Sequence, residues 1–256
     1  MKPRYSLEGR TALITGASSG IGAHLAALFG AAGARVLLGA RRKDRTEEEA
    51  GKIRAAGGEA LAVELDVTDE GSVIAAYDAA EKAFGTVDTI VANAGISRDG
   101  RSTDVSAGDM QAVVDTNFSG VYLTAREGAR RLIAAGSRES GAGRIVLLGS
   151  ITSFANHNGD ATYAAMKAAV AHLGRNLARE WVRMGINVNT VHPGYIETEL
   201  NADFYKTEGG EAHIRSFHRR RLTAVEALDD PILFFASDAS AMVTGSELIV
   251  DDGQRL

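Results

Sequence analysis

One segment decides the fold of this chain: Arg10-Thr-Ala-Leu-Ile-Thr15-Gly16-Ala-Ser-Ser-Gly20-Ile-Gly22. Its apolar part ends at Thr15, glycines follow, and a helical pattern with Leu25, Leu28 and Phe29 begins directly afterwards. The order is therefore strand, glycine loop, helix. Glycine tolerates positive φ and lets a ligand approach the backbone, while the start of a helix offers free N–H groups and a positive dipole end. The segment predicts a loop that binds the pyrophosphate of a dinucleotide.

The same loop also fits a second motif. Residues 16–20 match the Gly-x-Ser-x-Gly turn of α/β hydrolases, in which the serine is the nucleophile. That turn needs strands and an oxyanion loop before it, but only fifteen residues precede Gly16. We therefore expect Ser18 to present its hydroxyl and backbone to a phosphate. Because the spacing differs from Gly-x-Gly-x-x-Gly, the loop alone does not identify the ligand.

Further apolar segments recur along the chain, with helix-length connections between them. The seven predicted strands lie at 11–15, 35–40, 60–65, 89–93, 144–148, 186–191 and 247–250. Continuous Val, Ile and Leu strands joined by helices indicate a parallel sheet covered on both faces, and right-handed crossovers give a doubly wound α/β fold. No repeat, low-complexity tract or proline-rich linker divides the sequence, so we predict a single domain over 1–256.

The composition argues against several classes of function. The net charge is -5 and the pI is near 5.7, so nucleic acid is not an expected partner. Mean hydropathy is -0.07, and no apolar run reaches the ~18 residues of a membrane span. The first residues lack the apolar stretch of a secretory signal and the chain has no cysteine, so we expect a cytoplasmic protein. No spacing of His and Asp indicates a metal site.

A second informative pattern is the pair Tyr163 and Lys167, four residues apart in a predicted helix. This spacing places a phenol and an ammonium on one helical face, which is also a common surface arrangement. A nearby cation lowers the phenol pKa from about 10, which makes tyrosine a usable general acid or base. Ser150 ends an apolar strand thirteen residues upstream, and Asn117 lies in a mostly apolar helix where its amide must find partners.

Together these motifs resemble the short-chain dehydrogenase/reductase family. The matching residues follow in order: Thr15-Gly16-x-x-x-Gly20-x-Gly22, Asn93-Ala-Gly95, Asn117, Ser150, Tyr163-x-x-x-Lys167 and Pro193-Gly194. The similarity covers about 7–253, nearly the whole chain. It implies a single-domain, doubly wound Rossmann fold of about seven parallel strands, with one dinucleotide-binding and catalytic domain and no metal.

The resemblance implies a role for each member of a catalytic set. Tyr163 donates a proton to a carbonyl oxygen, while Ser150 hydrogen bonds the developing alkoxide. Lys167 lowers the pKa of the phenol and holds the nicotinamide ribose. Asn117 anchors a water that relays protons from Lys167.

The resemblance also implies a cofactor site. Its residues are Gly16, Ser18, Ser19, Gly20, Ile21, Gly22, Arg41, Arg42, Asp66, Val67, Asn93, Ala94, Gly95, Tyr163, Lys167, Pro193, Gly194, Ile196 and Thr198. Asp66 with Val67 would contact the adenine, and 93–95 would line the adenine ribose. Ile196 and Thr198 would hold the carboxamide. Asp66 is also a candidate for an ordinary helix cap, which is the alternative interpretation and is compatible with an adenine contact.

The end of the second predicted strand indicates which coenzyme is used. An acidic residue there binds the ribose 2'-OH of NAD, whereas an arginine accepts the 2'-phosphate of NADP. Ala40 stands at the acidic position and Arg41 and Arg42 follow it, so NADP(H) is favoured and NAD(H) is the alternative. Ser19 stands where some NADP-dependent relatives have a second basic residue, which makes the expected preference moderate.

Substrate recognition is expected near a segment at 195–222, which forms a lid over the pocket in relatives. Tyr195 and Phe204 are candidate apolar contacts, and Ser150 and Asn156 are candidate polar contacts. We expect a small-molecule carbonyl or alcohol as substrate.

Three functions are compatible with these motifs. The leading interpretation is an NADPH-dependent carbonyl reductase, or ketoreductase, that acts on a 3-oxoacyl or simple prochiral ketone. The alternative is an NAD(P)-dependent polyol or sugar-acid dehydrogenase. A non-catalytic dinucleotide-binding sensor is more remote, because it would be expected to lack Tyr163 or Lys167. The segment 242–253 resembles the last strand of the family, which often packs across a two-fold axis and implies a homotetramer.

Overall fold

The apolar segments form one parallel sheet. The computed structural model describes residues 5–155, 158–199 and 201–256, and within these ranges the sheet has seven strands. They are β1 (Thr11–Thr15), β2 (Arg35–Ala40), β3 (Glu59–Glu64), β4 (Thr89–Ala92), β5 (Gly143–Leu148), β6 (Ile186–Pro193) and β7 (Glu247–Val250). The predicted fold class is confirmed, although β6 runs two residues further than the sequence indicated, through Pro193.

Helices connect the strands and lie on both faces of the sheet. They are α1 (Gly20–Ala31), α2 (Lys43–Ala55), α3 (Glu70–Phe84), α4 (Ala107–Val114), α5 (Gly120–Ala134), α6 (Ser137–Ser140), α7 (Ala161–Trp181), α8 (Ala202–Tyr205), α9 (Glu208–Ser216) and α10 (Asp229–Ala236). A π-helical turn, Asp115–Ser119, joins α4 to α5. Among the described residues, no helix combines the length and apolar character needed to cross a membrane.

The core has two layers because successive side chains of a strand point to opposite faces. Ile14 packs into one layer with Phe29 of α1 and Phe235 of α10. Leu13 packs into the other layer, which includes Trp181 of α7. Both faces of each central strand are thus buried, which explains why these strands read as continuous apolar runs.

The strand order positions the site. Across the sheet the order is β3-β2-β1-β4-β5-β6-β7, and neighbouring strands are parallel. After β1 the chain places β2 and β3 on one side of it, and then places β4 to β7 on the other side. In such sheets a crevice opens at the carboxyl ends of the strands where the order reverses, and ligands bind there. The glycine loop follows β1 at that point.

Candidate active site

Glycines shape the loop that follows β1. Gly16 and Gly20 have φ of 68° and 55°, a region that side chains disfavour. A Cβ on Gly22 would lie 2.3 Å from the carbonyl oxygen of Gly16, so α1 begins in direct contact with the loop. The first turn of α1 has no acidic residue, and Ser19 at its N-cap makes no side-chain capping bond. The N–H groups at this end therefore remain available to an anion.

Asn93 holds the glycine loop against β4. The Thr15 hydroxyl accepts hydrogen bonds from Asn93 N at 3.1 Å and Ala94 N at 3.0 Å. In return, Asn93 Nδ2 donates to the Thr15 carbonyl at 2.9 Å. Sequence reasoning assigned 93–95 to the adenine ribose and missed this bracing role of the side chain.

Arg42 stands at the outer end of the loop. Its Nη2 donates to the hydroxyls of Ser18 and Ser19, both at 3.0 Å. The side chain is 50% exposed, and Nη1 lies 3.7 Å from Glu199. Arg42 thus places a cation beside the helix terminus that favours phosphate.

Asp66 closes a turn instead of capping a helix. Its Oδ1 accepts from Thr68 N at 3.0 Å and from the Thr68 hydroxyl at 2.7 Å. The N-cap of α3 is Asp69, so the alternative of a helix cap at Asp66 is wrong. Partial burial opposes ionisation of Asp66, but the Thr68 hydrogen bonds and the charge of Arg41 hold the pKa of its carboxyl below the usual value.

Ser150, Tyr163 and Lys167 meet at the inner end of the crevice. Ser150 follows β5, while Tyr163 and Lys167 lie on successive turns of α7. The Ser150 hydroxyl lies close enough to Tyr163 to lower the pKa of the phenol. Lys167 is 4% exposed, its Nζ donates to the Leu148 carbonyl at 2.8 Å, and Nζ lies 5.6 Å from the centre of the Tyr163 ring.

The surroundings of Tyr163 raise the pKa of its phenol. Desolvation is the largest cause, the Ser150 hydrogen bond opposes it, and the charges of Asp160 and Asp99 add to it, so the pKa reaches about 12. The Lys167 ammonium donates to the Leu148 carbonyl in this structure, and its expected lowering of the phenol pKa stays a prediction. The phenol is neutral at pH 7, which is the form that donates a proton.

Burial has the opposite effect on Lys167. Desolvation of the ammonium lowers the pKa of Lys167 to about 8. A Cβ on Gly95 would lie 3.7 Å from Lys167 Nζ and 3.4 Å from Asn117 Oδ1. Lys167 and Asn117 therefore border the same small space beside Gly95.

Asn117 lies in the π-helical turn, a feature frequent at functional sites. The side chain is fully buried, as its apolar surroundings suggested. Its Oδ1 accepts from Ile96 N and its Nδ2 donates to the Ile96 carbonyl, both at 2.8 Å. The prediction that this amide must find partners is confirmed, and the partners are both backbone groups of Ile96. Asn117 itself lies behind the wall of the crevice.

One cleft of about 1400 Å³ contains these groups. Every residue predicted to bind the dinucleotide lines it, as do Ser150, Tyr195 and Phe204. Asn156 lies outside the described residues. Sequence reasoning missed further lining residues, which include Ile96, Arg98, Asp99, Asp160 and His213. Asp160 had a detectable signal, because it directly precedes the helix that carries Tyr163.

Aromatic rings form one wall of the cleft. Tyr195 stacks on Phe217 with ring centres 5.4 Å apart and an interplanar angle of 13°. His213 meets both rings edge-on at 4.8 Å. Phe217 is buried behind Tyr195, whereas Phe204 is 49% exposed. The segment predicted as a lid carries α8 and α9, and its role as a lid stays a prediction.

Asn201 fixes the backbone predicted to hold the carboxamide. Its Nδ2 donates to the Ile196 carbonyl at 2.9 Å, and its Oδ1 accepts from Thr198 N at 2.7 Å. Ahead of this turn, Gly194 N donates to the Val250 carbonyl at 2.9 Å. The turn after β6 is thereby tied to the last strand.

Known proteins resemble this chain over nearly its whole length. The family model for short chain dehydrogenases matches residues 10–209. The cis-4-hydroxycyclohexanecarboxylate dehydrogenase of Sinomonas cyclohexanicum is 38% identical over 252 residues, which cover 95% of this chain and 96% of that protein. The 3-oxoacyl-acyl-carrier-protein reductase FabG of Escherichia coli is 32% identical over 248 residues, with 97% and 98% covered.

A solved structure extends this likeness to three dimensions. The crystal structure of a gluconate 5-dehydrogenase from Burkholderia cenocepacia J2315, in complex with NADP and tartrate, has a TM-score of 0.91 to this chain. The two sequences are 34% identical, and the match covers 98% of this chain and 97% of the other. The resemblance inferred from the motifs is confirmed. The chain belongs to the short-chain dehydrogenase/reductase family of oxidoreductases, which interconvert alcohols and carbonyl compounds.

Proposed function

We propose that this protein is an NADPH-dependent carbonyl reductase that converts a ketone to a secondary alcohol, with Tyr163 as general acid. The observation that carries the proposal is a single cleft that contains both the glycine loop with Arg42 and the neighbouring pair Ser150 and Tyr163. Because one cleft holds both groups, a dinucleotide and a small carbonyl substrate can meet in it.

The glycine loop and its neighbours fit NADP(H). The free end of α1 suits a pyrophosphate, and a side chain at Gly22 would collide with the loop. Arg42 offers a charge-assisted hydrogen bond to a 2'-phosphate, and Ala40 offers no acidic group to a 2'-hydroxyl. The NADP found in the gluconate 5-dehydrogenase structure supports the same choice. NAD(H) is the alternative coenzyme.

The catalytic groups suit proton donation. When bound, NADPH supplies the hydride that the carbonyl carbon receives. Tyr163 holds its proton at neutral pH because its pKa is about 12, and it donates that proton to the carbonyl oxygen. An alkoxide is a much stronger base than a phenolate, so this transfer is favourable. Ser150, which lines the same cleft as Tyr163, stabilises the same oxygen as negative charge develops.

Lys167 and Asn117 are assigned to proton supply. A pKa of about 8 means that Lys167 releases a proton far more readily than a solvated lysine. Lys167 Nζ and Asn117 Oδ1 both lie beside Gly95, so a water held by Asn117 would relay a proton to Lys167. Asn117 also holds the backbone of Ile96, a residue that lines the cleft.

The pKa of Tyr163 favours reduction over oxidation at neutral pH. Oxidation of an alcohol requires the phenolate as proton acceptor, and a pKa of about 12 leaves little phenolate at pH 7. Asp99 and Asp160 contribute to that pKa through their negative charges. A protonated phenol is the form that reduction of a ketone requires, and a 3-oxoacyl or simple prochiral ketone remains the proposed substrate.

One observation favours the second candidate, a polyol dehydrogenase. The Oδ1 atom of Asp160 is buried and has no hydrogen-bond partner among the described residues. A hydroxyl group on a substrate would satisfy this acceptor. The carboxylate of a sugar acid would be repelled by Asp160 and Asp99, so within this second candidate polyols and neutral keto-sugars are preferred over sugar acids.

A spectrophotometric screen tests both candidates. Consumption of NADPH and of NADH is followed over a panel of simple ketones, 3-oxo esters and keto-sugars. The proposal expects turnover of ketones or 3-oxo esters with NADPH preferred. Turnover confined to keto-sugars would favour the polyol dehydrogenase, and absence of turnover over the whole panel would contradict both.

We further propose how the protein is organised and where in the cell it acts. We treat 1–256 as one domain with a substrate lid at 195–222, acting in the cytoplasm as a homotetramer. Exposed apolar side chains near the last strand support association: Met242 is 98% exposed and Leu248 is 38% exposed. Light scattering of the purified protein measures the subunit number, and a monomer would contradict this part.

A further inference from the structure

His192 lies in β6 directly behind Ser150. The imidazole is fully buried, with Nδ1 3.2 Å from Ser150 N and 3.1 Å from Ser150 O. On its other side, Nε2 lies 3.2 Å from Oε2 of Glu247, at the start of β7. His192 does not line the cleft. It therefore contacts the backbone of Ser150 without reaching the space assigned to substrate and coenzyme.

The hydrogen-bond partners define which nitrogen carries the proton. Desolvation is the largest cause that lowers the pKa of His192, and the charge of Lys167 lowers it further. The Ser150 carbonyl and Glu247 oppose this shift, but the pKa stays below its usual value, so the ring is neutral at pH 7. A carboxylate only accepts hydrogen bonds, so the proton lies on Nε2 and is donated to Glu247. Nδ1 then accepts from Ser150 N–H. The Ser150 carbonyl has a donor of its own, Ser153 N at 3.1 Å.

The neighbours of His192 fix the ring in this orientation. A Cβ on Gly149 would lie 2.3 Å from Nδ1, so the residue before Ser150 has room for hydrogen only. Phe154 packs edge-on against the imidazole with ring centres 4.8 Å apart. Arg175 of α7 forms an ion pair with the second oxygen of Glu247, which leaves Oε2 for His192.

The Ser150 hydroxyl depends on this backbone. Its Oγ accepts from Thr152 N at 3.2 Å, and the hydroxyl also acts on Tyr163, where it lowers the pKa of the phenol. A rotation of the Ser150 backbone would carry the hydroxyl away from Tyr163. The His192–Ser150 bond opposes that rotation, because the buried N–H has no other acceptor in the part of the chain that the structure describes.

We propose that His192, oriented by Glu247, is a positioning residue that fixes the backbone of Ser150 and thereby directs the serine hydroxyl toward Tyr163. The inference rests on the proposed reductase function and deepens it. Loss of the Nδ1 acceptor misaligns Ser150, lowers kcat and raises the pKa of Tyr163, while binding of the coenzyme is unaffected.

Two variants of similar size separate this role from packing. In His192→Asn the amide oxygen replaces Nδ1, whereas His192→Gln places its polar atoms toward Glu247. We expect His192→Gln to lose roughly 10- to 100-fold in kcat with an unchanged Kd for NADPH, and His192→Asn to stay within about threefold of wild type. In the reverse reaction, His192→Gln shifts the pH profile of alcohol oxidation to higher pH. Equal losses in both variants with unshifted profiles, or wild-type kcat in His192→Gln, overturn the proposal.

Glu247, the hydrogen-bond partner of His192, provides a second matched pair of variants. Glu247→Gln keeps an oxygen that accepts from Nε2–H, so its kcat and pH profile should match wild type. Glu247→Leu removes the acceptor and frees the ring to move its proton to Nδ1, so it should resemble His192→Gln. Identical behaviour of the two Glu247 variants contradicts the orienting role.

An NMR measurement tests the hydrogen bonds without turnover. The ¹⁵N shifts of labelled histidine in the full-length protein at pH 7 report the protonation of each ring nitrogen, and the signal absent from His192→Asn identifies His192. A neutral ring with the proton on Nε2 supports the inference. A proton on Nδ1, or a charged ring, overturns it even if the enzyme is active. Absence of turnover together with an Nε2–H ring would instead contradict the proposed function alone.

Discussion

Replacing Lys167 with methionine tests whether a buried ammonium is maintained at the expense of stability. The side chain is 4% exposed, and desolvation lowers the pKa of Lys167 from 10.5 to about 8. At about 1.4 kcal/mol per pH unit, this difference corresponds to about 3 kcal/mol of unfolding free energy. Methionine keeps most of the volume of the side chain and removes the charge.

The sign follows from proton binding in the two states. Below about pH 8 both the folded and the unfolded chain hold the proton on Lys167, and the folded state bears the whole desolvation cost. Between about pH 8 and 10.5 the unfolded chain binds more protons, so the stability of the wild type rises with pH relative to Lys167→Met. Above 10.5 both states are neutral and the cost has disappeared. The predicted difference of about 3 kcal/mol accumulates within that window.

Guanidinium unfolding at pH values from 7 to above 10 provides the assay. Trp181, the single tryptophan, is buried on the same helix as Lys167 and reports unfolding by fluorescence. At pH 7 alone the two proteins are expected to be similar, because loss of the hydrogen bond to Leu148 costs about 1–3 kcal/mol and offsets the removed charge. Lys206, 71% exposed, supplies the control Lys206→Met, which should parallel wild type. Parallel curves for Lys167→Met and wild type would refute the reasoning.

Three further substitutions test other parts of the site. Arg42→Ser should raise the Kd for NADPH about 10-fold or more, because a charge-assisted hydrogen bond contributes about 1.5–3 kcal/mol, and it should have little effect on the Kd for NADH. Arg45 lies outside the cleft, so the control Arg45→Ser should leave the Kd of both coenzymes unchanged. Fluorescence titrations measure these constants. Equal effects on the two coenzymes would contradict the assignment of a 2'-phosphate site. Asp160→Asn removes a charge that raises the pKa of Tyr163, so the pH profile of alcohol oxidation should move to lower pH; an unchanged profile would contradict that electrostatic contribution. Gly22→Ala places a methyl 2.3 Å from a loop carbonyl and should abolish measurable binding of NADPH, and normal binding would show that the close contact is not required.

The positions of the glycine loop and of the pair Tyr163 and Lys167 were predictable because their signals are local. Glycine spacing after an apolar strand constrains the backbone of a few successive residues, and Tyr163 and Lys167 share a face because they lie one helical turn apart. Strand positions followed from continuous apolar runs, which are typical of a parallel sheet buried on both faces.

The electrostatics of the site were not predictable, because they depend on contacts between distant segments. Lys167 bonds the carbonyl of Leu148, nineteen positions away, which no helical spacing reveals. The desolvation that raises the pKa of Tyr163 likewise comes from the packing of distant segments around the phenol. His192 was missed for the same reason, since its partners Ser150 and Glu247 come from other strands and loops.

The central claim is that Tyr163 donates the proton to the carbonyl oxygen, and Tyr163→Phe tests it most directly. This change removes the hydroxyl and keeps the ring that lines the cleft. Steady-state kinetics with NADPH and a ketone identified by the screen should show kcat reduced by roughly 100-fold or more, a range expected for loss of a general acid, while the Kd for NADPH stays near the wild-type value. Turnover close to wild type in this variant would contradict the account.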